Sequence, residues 1–177
     1  MATSPPPDEP VTALKAKGGR LTIALRRRGF CASDVYKQWK DVLSVDLDSV
    51  FLCCSQVIPA MRQQNRGRII NIASGSAYGN VGQANYSAAK AGILGFTRTL
   101  ALESGCKNIT VNAINPGFTE TDIIQSVPES VLSAARNANP MRRLGKPEDI
   151  AALVLFLAGE EASYINGQII NCNGGSR

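Results

Sequence analysis

Histidine is absent from the 177 residues, which removes serine–histidine and cysteine–histidine nucleophile pairs and most catalytic zinc sites. The five cysteines form no CxxC pair, and Cys53 and Cys54 are adjacent in a stretch with helical spacing. Neither a disulfide framework nor a metal site is expected from them, and a reducing, cytoplasmic compartment is the simpler reading. No apolar run approaches the ~20 residues needed to span a bilayer, so no membrane partner is expected. A G-x-G-x-x-G spacing is also missing between Met1 and Gly29. In doubly wound folds such a turn holds a dinucleotide pyrophosphate on backbone N–H groups and a helix N-terminus.

What is present fits one soluble α/β domain with a sizeable core: 44% of residues are hydrophobic and 19% charged. The net charge of +5 is uneven, with +4 in residues 1–37 and only +1 in the remainder. Basicity thus belongs to the N-terminal stretch. The cluster Arg26-Arg27-Arg28 has no interleaved aromatics, and no nucleic-acid partner is expected from it. Residues 1–18 read as disordered or unrelated sequence, rich in Pro, Ser and acids at the start, and residues 19–177 as the folded domain.

Gly19–Leu25 reads as a strand. From Val35 to Met61 apolar residues recur at three- and four-residue spacing (Trp39, Leu43, Val50, Cys54, Val57, Met61), a helix interrupted where Asp46 falls on the apolar stripe. A carboxylate there needs a partner or water; a helix break with Asp46 and Asp48 both solvated is the other reading. Gly67–Ser74 is a short β-branched run bounded by glycines, hence a buried strand. The loop Gly75–Asn85 follows, then a helix from about Ala84 to Ser104 closed by Gly105. Small residues along it, among them Ala88, Ala89, Gly92 and Gly95, permit close packing on a sheet or a second subunit. Ile109–Asn115 reads as an alternating strand and Thr119–Met141 as a polar, mobile segment. A helix runs from Pro147 to about Ala158, and Tyr164–Cys172 is a last strand.

The chemistry gathers between Ser74 and Lys90. Tyr86 and Lys90, four apart on a helix, lie on one face, so a phenol and an ammonium reach the same place. A fixed cation beside a phenol favours the phenolate and makes such a group a usable proton donor and acceptor near neutral pH. Ser74 ends a strand, at the edge where α/β sheets bind ligands.

Asn71-Ile-Ala-Ser74, Gly79-Asn-Val-Gly-Gln-Ala-Asn-Tyr86-Ser-Ala-Ala-Lys90-Ala-Gly and Val111-Asn-Ala-Ile-Asn-Pro116-Gly117 follow one another in that order. From about Gly29 to the C-terminus the chain resembles the short-chain dehydrogenase/reductase family, and most closely its 3-oxoacyl-[acyl-carrier-protein] reductases. The resemblance implies a Rossmann-like parallel sheet with helices on both faces and NADP or NAD as cofactor. It implies a small-molecule or acyl-carrier-linked carbonyl substrate, and homo-oligomers formed through the two long helices. Ser74 would hydrogen-bond the substrate oxygen, with Ser76 as a substitute. Tyr86 would protonate that oxygen, and Lys90 would support Tyr86 and hold the nicotinamide ribose. Pro116, Gly117, Thr119 and Thr121 match cofactor-contacting positions, and Thr119–Met141 matches the substrate lid. Asp46 stands where the family usually has an asparagine that anchors a water of the proton relay, and one residue fewer than usual separates the serine from the tyrosine.

The family's first β-α-β-α-β third has no counterpart here, so the sheet is expected to keep only the last four of seven strands, with Gly19–Leu25 at an edge. Two functions follow. One is an NAD(P)H-dependent carbonyl reductase, possessed by this chain or by a longer enzyme of which it is a piece. The other is a non-catalytic fragment that acts by pairing with a complete subunit.

Overall fold

The computed structural model describes residues 32–121, 124 and 127–176, with side chains from Val35 onward. The expected strand Gly19–Leu25, the Arg26–Arg28 cluster and the readings of residues 1–18 lie outside the described residues.

Three parallel strands, β1 (Gly67–Ile72), β2 (Ile109–Pro116) and β3 (Ile169–Cys172), form a sheet in the order β1-β2-β3. Gly67 pairs with Ile109 at one end of the first ladder, and Pro116 with Cys172 at the far end of the second. Helices α2 (Ser49–Gln64) and α3 (Ala84–Ser104) cover one face. There Cys54, Ile69, Leu100, Ala101, Ile109 and Val111 pack together, with Ala73, Ile93, Leu94 and Ala113 beside them. Helix α5 (Pro147–Ala158) covers the other face, where Leu157 and Ala162 meet Ile114. This is the expected Rossmann-like arrangement. Fully burying side chains such as Ile93, Ile109 and Ile114 stabilises it by roughly 1.5–3 kcal/mol each.

The alternation expected for Ile109–Asn115 is not seen, because this central strand is covered on both faces and every residue from Ile109 to Asn115 is buried. Its Asn112 side chain is bonded inside at both ends. Asn112 donates to the Ile165 carbonyl at 2.8 Å and accepts from the Gln168 N–H at 3.0 Å. Strand β1 stops at Ile72, short of Ser74, although the Ala73 N–H still donates to the Ile114 carbonyl at 2.8 Å. The last strand is shorter than expected and begins only at Ile169. Gly167 (φ +70°) turns the chain just before it, and the Asn166 side chain takes the place of a strand by accepting from the Val111 N–H at 2.8 Å.

The long helix of residues 35–61 is one helical unit in three parts: α1 (Ala32–Leu43), a π-turn over Ser44–Asp48, and α2. Within Val35–Gln64 an 18-residue window has mean hydropathy 1.4, apolar enough by length and composition to cross a membrane, although charged residues interrupt it and no unbroken apolar run is that long. Its apolar residues divide between the core (Val50, Cys54, Ile58, Met61) and the outside, where Phe51 and Leu52 are exposed. Gly105 closes α3, but in right-handed geometry; the left-handed residue is Asn108, after one 3₁₀ turn. The segment read as a mobile lid contains helix α4 (Glu129–Ala138).

The C-terminal glycines lock the end of that segment. Asn139 donates to the Asn173 carbonyl at 3.0 Å and accepts from the Met141 N–H at 2.8 Å. Gly174 has φ +64°, and a Cβ there would lie 2.6 Å from Asn139 Oδ1. Gly174→Ala is expected to lower stability by about 1–3 kcal/mol through backbone strain and this collision, measured by urea denaturation. A midpoint equal to that of the unsubstituted chain would refute the lock.

Candidate active site

The residues expected to carry chemistry lie at and beside the carboxyl ends of the strands. Ser74 is extended (φ −165°, ψ 152°) and caps a 3₁₀ turn, Gly75–Tyr78, its Oγ accepting from the Ser76 N–H at 3.1 Å. That bond occupies a lone pair and leaves the Ser74 proton to donate elsewhere. Ser76 Oγ lies 3.2 Å from Gln83 Oε1 and 3.5 Å from Asn80 Nδ2, so the Ser76 hydroxyl is engaged within its own loop. Pro116 lies beside this turn: its carbonyl is 3.6 Å from where a Cβ on Gly75 would sit.

Helix α3 begins at Ala84, so Tyr86 and Lys90 fall on its first turns. The Lys90 ammonium sits 5.4 Å from the centroid of the Tyr86 ring and 3.5 Å from the Ile72 carbonyl at the end of β1. It is also ion-paired with Asp46 Oδ1 at 3.0 Å, the two side chains being only 12% and 26% exposed. The apolar-stripe position of Asp46 is thereby explained. The residue lies, partly buried, in the π-turn that interrupts the α-helix, while Asp48 is exposed. Ser74, Tyr86, Lys90 and Asp46 thus come from three elements that meet at one edge of the sheet. Among the described residues no hydrogen bond joins the Ser74 hydroxyl directly to Tyr86.

The positions expected to contact a cofactor follow β2 along the adjoining rim. The Gly117 N–H donates to the Cys172 carbonyl at 3.1 Å, and a Cβ on Gly117 would come within 3.0 Å of the Asn173 backbone. Gly117 is therefore needed to pass β3 closely, and its N–H is already taken. Thr119 Oγ1 donates to the Gly117 carbonyl at 3.0 Å, whereas Thr121 is exposed. Two residues escaped the sequence reading. Fully buried Asn115 donates from Nδ2 to the Tyr78 hydroxyl and to Asn171 Oδ1, each at 3.1 Å, and Tyr78 stands exposed over the strand ends. Asn115 lay inside a recognised motif, but nothing in the spacing linked it to Tyr78.

Cysteine offers no alternative nucleophile at this edge. Burial pushes the Cys172 thiol up from its ordinary value, and the Asp149 carboxylate adds to the rise. Among the described residues no group of three or more His, Cys, Asp or Glu could hold a metal ion.

Beyond the rim, a polar cleft of about 340 Å³ lies between Phe118, Met141, Arg143 and the Asn173–Gly175 end. Arg143 binds Asp149 with both guanidinium nitrogens, at 2.6 and 3.1 Å. This bonding, then the Lys146 N–H, holds the Asp149 carboxyl at about 2, below its ordinary 3.8. Because the folded value is depressed, the stabilisation is complete above 3.8 and is lost as pH falls to about 2. Amide exchange at Lys146–Asp149 is expected to quicken through that window, and Asp149→Asn to flatten the response. An unchanged pH dependence in the variant would place the effect elsewhere.

Similar proteins point to one family and to the same fold. The family model described as enoyl-(acyl carrier protein) reductase matches residues 8–177. The 3-oxoacyl-[acyl-carrier-protein] reductase FabG of Thermotoga maritima is 39% identical over 173 residues, covering 94% of this chain and 70% of that protein. The acetoacetyl-CoA reductase of Shinella zoogloeoides is 40% identical over 174 residues, 94% of this chain and 72% of the relative. The crystal structure of a 3-oxoacyl-[acyl-carrier protein] reductase from Brucella melitensis superposes with a TM-score of 0.76 at 34% identity, over 79% of this chain and 53% of that one. The chain therefore spans only part of each relative's length. With a family match over nearly its whole length and the ordered serine, tyrosine and lysine at the sheet edge, the chain belongs to the short-chain dehydrogenase/reductase family.

Proposed function

We propose that this chain carries the carbonyl-reducing half of an NAD(P)H-dependent oxidoreductase acting on a 3-oxoacyl thioester, acyl-carrier-linked or small, in a cytoplasmic setting. The observation that carries the reading is the Lys90 ammonium resting over the Tyr86 ring at the carboxyl end of β1. Tyr86 gives its phenolic proton to the carbonyl oxygen as that oxygen gains negative charge. Ser74 donates its free proton to the same oxygen, and Lys90 supplies a nearby positive charge. Asp46, through Lys90, ties this proton-handling cluster to the partly exposed π-turn.

A nicotinamide cofactor would supply the hydride. Lys90 and Tyr86 offer donors to its ribose, and Thr119, whose proton goes to the Gly117 carbonyl, offers a lone pair to its carboxamide N–H, with the Pro116–Gly117 turn beside them and Thr121 on the rim. The fit is to that half alone, since the described residues include no glycine-rich strand–turn–helix unit for the pyrophosphate. NADPH and NADH are therefore both compatible with the site.

A second reading rests on the outer faces of the two long helices. Phe51, Leu52, Val57 and Leu102 are exposed there, and Phe51 and Phe96 meet edge to face at 6.3 Å. They support association with a second copy or with a complete subunit, in which this chain acts without catalysing.

Tyr86→Phe is expected to cost about 10²-fold or more of the rate in any form of the protein that reduces a 3-oxoacyl thioester. Retention of most of the rate would remove Tyr86 as the acid. Titrating the purified chain with NADPH by fluorescence is expected to give weak binding that disappears in about 0.5 M salt. Tight binding that survives this salt would overturn the half-site reading. Sedimentation showing only monomer at micromolar concentration would count against association.

A further inference from the structure

The Asp46–Lys90 contact departs from what the resemblance implies, because a charged carboxylate touches the lysine directly. Three features build the contact. The π-turn inserts one residue into the helix, with the Ser49 N–H bonded back to the Ser44 carbonyl. This turns two consecutive side chains, Asp46 and Leu47, toward α3. Leu47 lands on Gly92, where an added Cβ would be only 2.9 Å from Leu47 Cδ2. Two residues earlier on α3, Lys90 meets the Asp46 carboxylate. Gly92 thus leaves room for Leu47, and the π-turn sets where the carboxylate lies.

The ammonium has few other supports. The Ile72 carbonyl is 3.5 Å away, at the limit of a hydrogen bond, and the Tyr86 ring offers only its face at 5.4 Å. A lysine stem has four flexible carbons and no planar fork to fix its head group. At 12% exposure the head group is also largely cut off from water, so a neighbouring carboxylate is its main anchor.

We propose that Asp46 is a positioning residue, which holds the Lys90 ammonium against the Tyr86 ring and the end of β1 before any ligand arrives. The importance of this for catalysis rests on the function proposed above; the positioning itself does not. Asp46 touches no reacting atom and acts through Lys90 alone.

The test uses the full chain and needs no turnover. Competitive acetylation with acetic anhydride, read by mass spectrometry, compares Lys90 with exposed Lys107. In the unsubstituted chain Lys90 is expected to be protected, and in Asp46→Asn to react roughly tenfold faster, because the head group is no longer held away from the reagent. Asp46→Glu should restore most of the protection, a rescue that general loosening of the helix would not give. In ¹⁵N-lysine spectra assigned with Lys90→Arg, the Lys90 ammonium signal should be visible in the unsubstituted chain and lost to water exchange in Asp46→Asn. Equal acetylation and equal signals in both proteins would overturn the proposal. If Asp46→Asn fails to fold, the unsubstituted chain decides: protection that persists in about 0.5 M salt supports a partly buried pair, and protection that vanishes sinks it. A chain that reduces no carbonyl yet protects Lys90 removes the reductase reading and keeps Asp46 in its role; an active chain with unprotected Lys90 does the reverse.

Discussion

Strand β2 meets water on neither face, so its backbone and side-chain polar groups look for partners within the protein, and among the described residues Asn115 Oδ1 finds none. Strand β1 supplies partners along one edge, but β3 reaches only from Ala113 onward on the other. Before that point the Asn166 side chain receives the Val111 N–H, the Gly167 N–H donates to the Val111 carbonyl, and Asn112 bonds both sides of the incoming segment. The two faces are closed by α3 with α2 and by α5. With β2 fixed in this way, the carboxyl ends of β1 and β2 come level, and Ser74, Pro116 and the first turns of α3 have nowhere to lie except at one edge.

The long regular elements were legible because their signals are local. Pro147 at the start of α5 and the run Ala84–Ser104 appear with the bounds read from sequence. Other features depend on partners far away in the chain. Burial of Thr110 and Asn112 in β2 follows from α5, which begins over thirty residues later, so an alternating reading of that strand was natural. The late start of β3 follows from Asn166 finding an N–H on β2. The interruption at Asp46 was visible as an acid on an apolar stripe, but its resolution as a π-turn needed Lys90 across the helix interface. Tyr78 gave no signal, because its anchor, Asn115, is thirty-seven residues away.

The choice between two serines shows where geometry adds to pattern. Both Ser74 and Ser76 are near the strand end, and spacing alone left a residue of slack between serine and tyrosine. Hydrogen-bond direction separates them. Ser74 accepts from a backbone N–H and keeps its proton, while Ser76 is enclosed by Gln83 and Asn80. A hydroxyl that has spent only a lone pair remains a donor, and a donor is what a carbonyl oxygen gaining charge requires.

The contact between Leu47 and Gly92 reaches beyond packing. Gly92 bears no reactive group; an alanine methyl there would meet only the end of the Leu47 side chain, which can turn aside, whereas a bulkier side chain would press on the π-turn that carries Asp46. In a scan of every single substitution, tolerance at position 92 would fall with side-chain volume rather than at the first methyl. Sensitivity at a position without chemistry would then trace the path along which distance between two helices becomes placement of a charge.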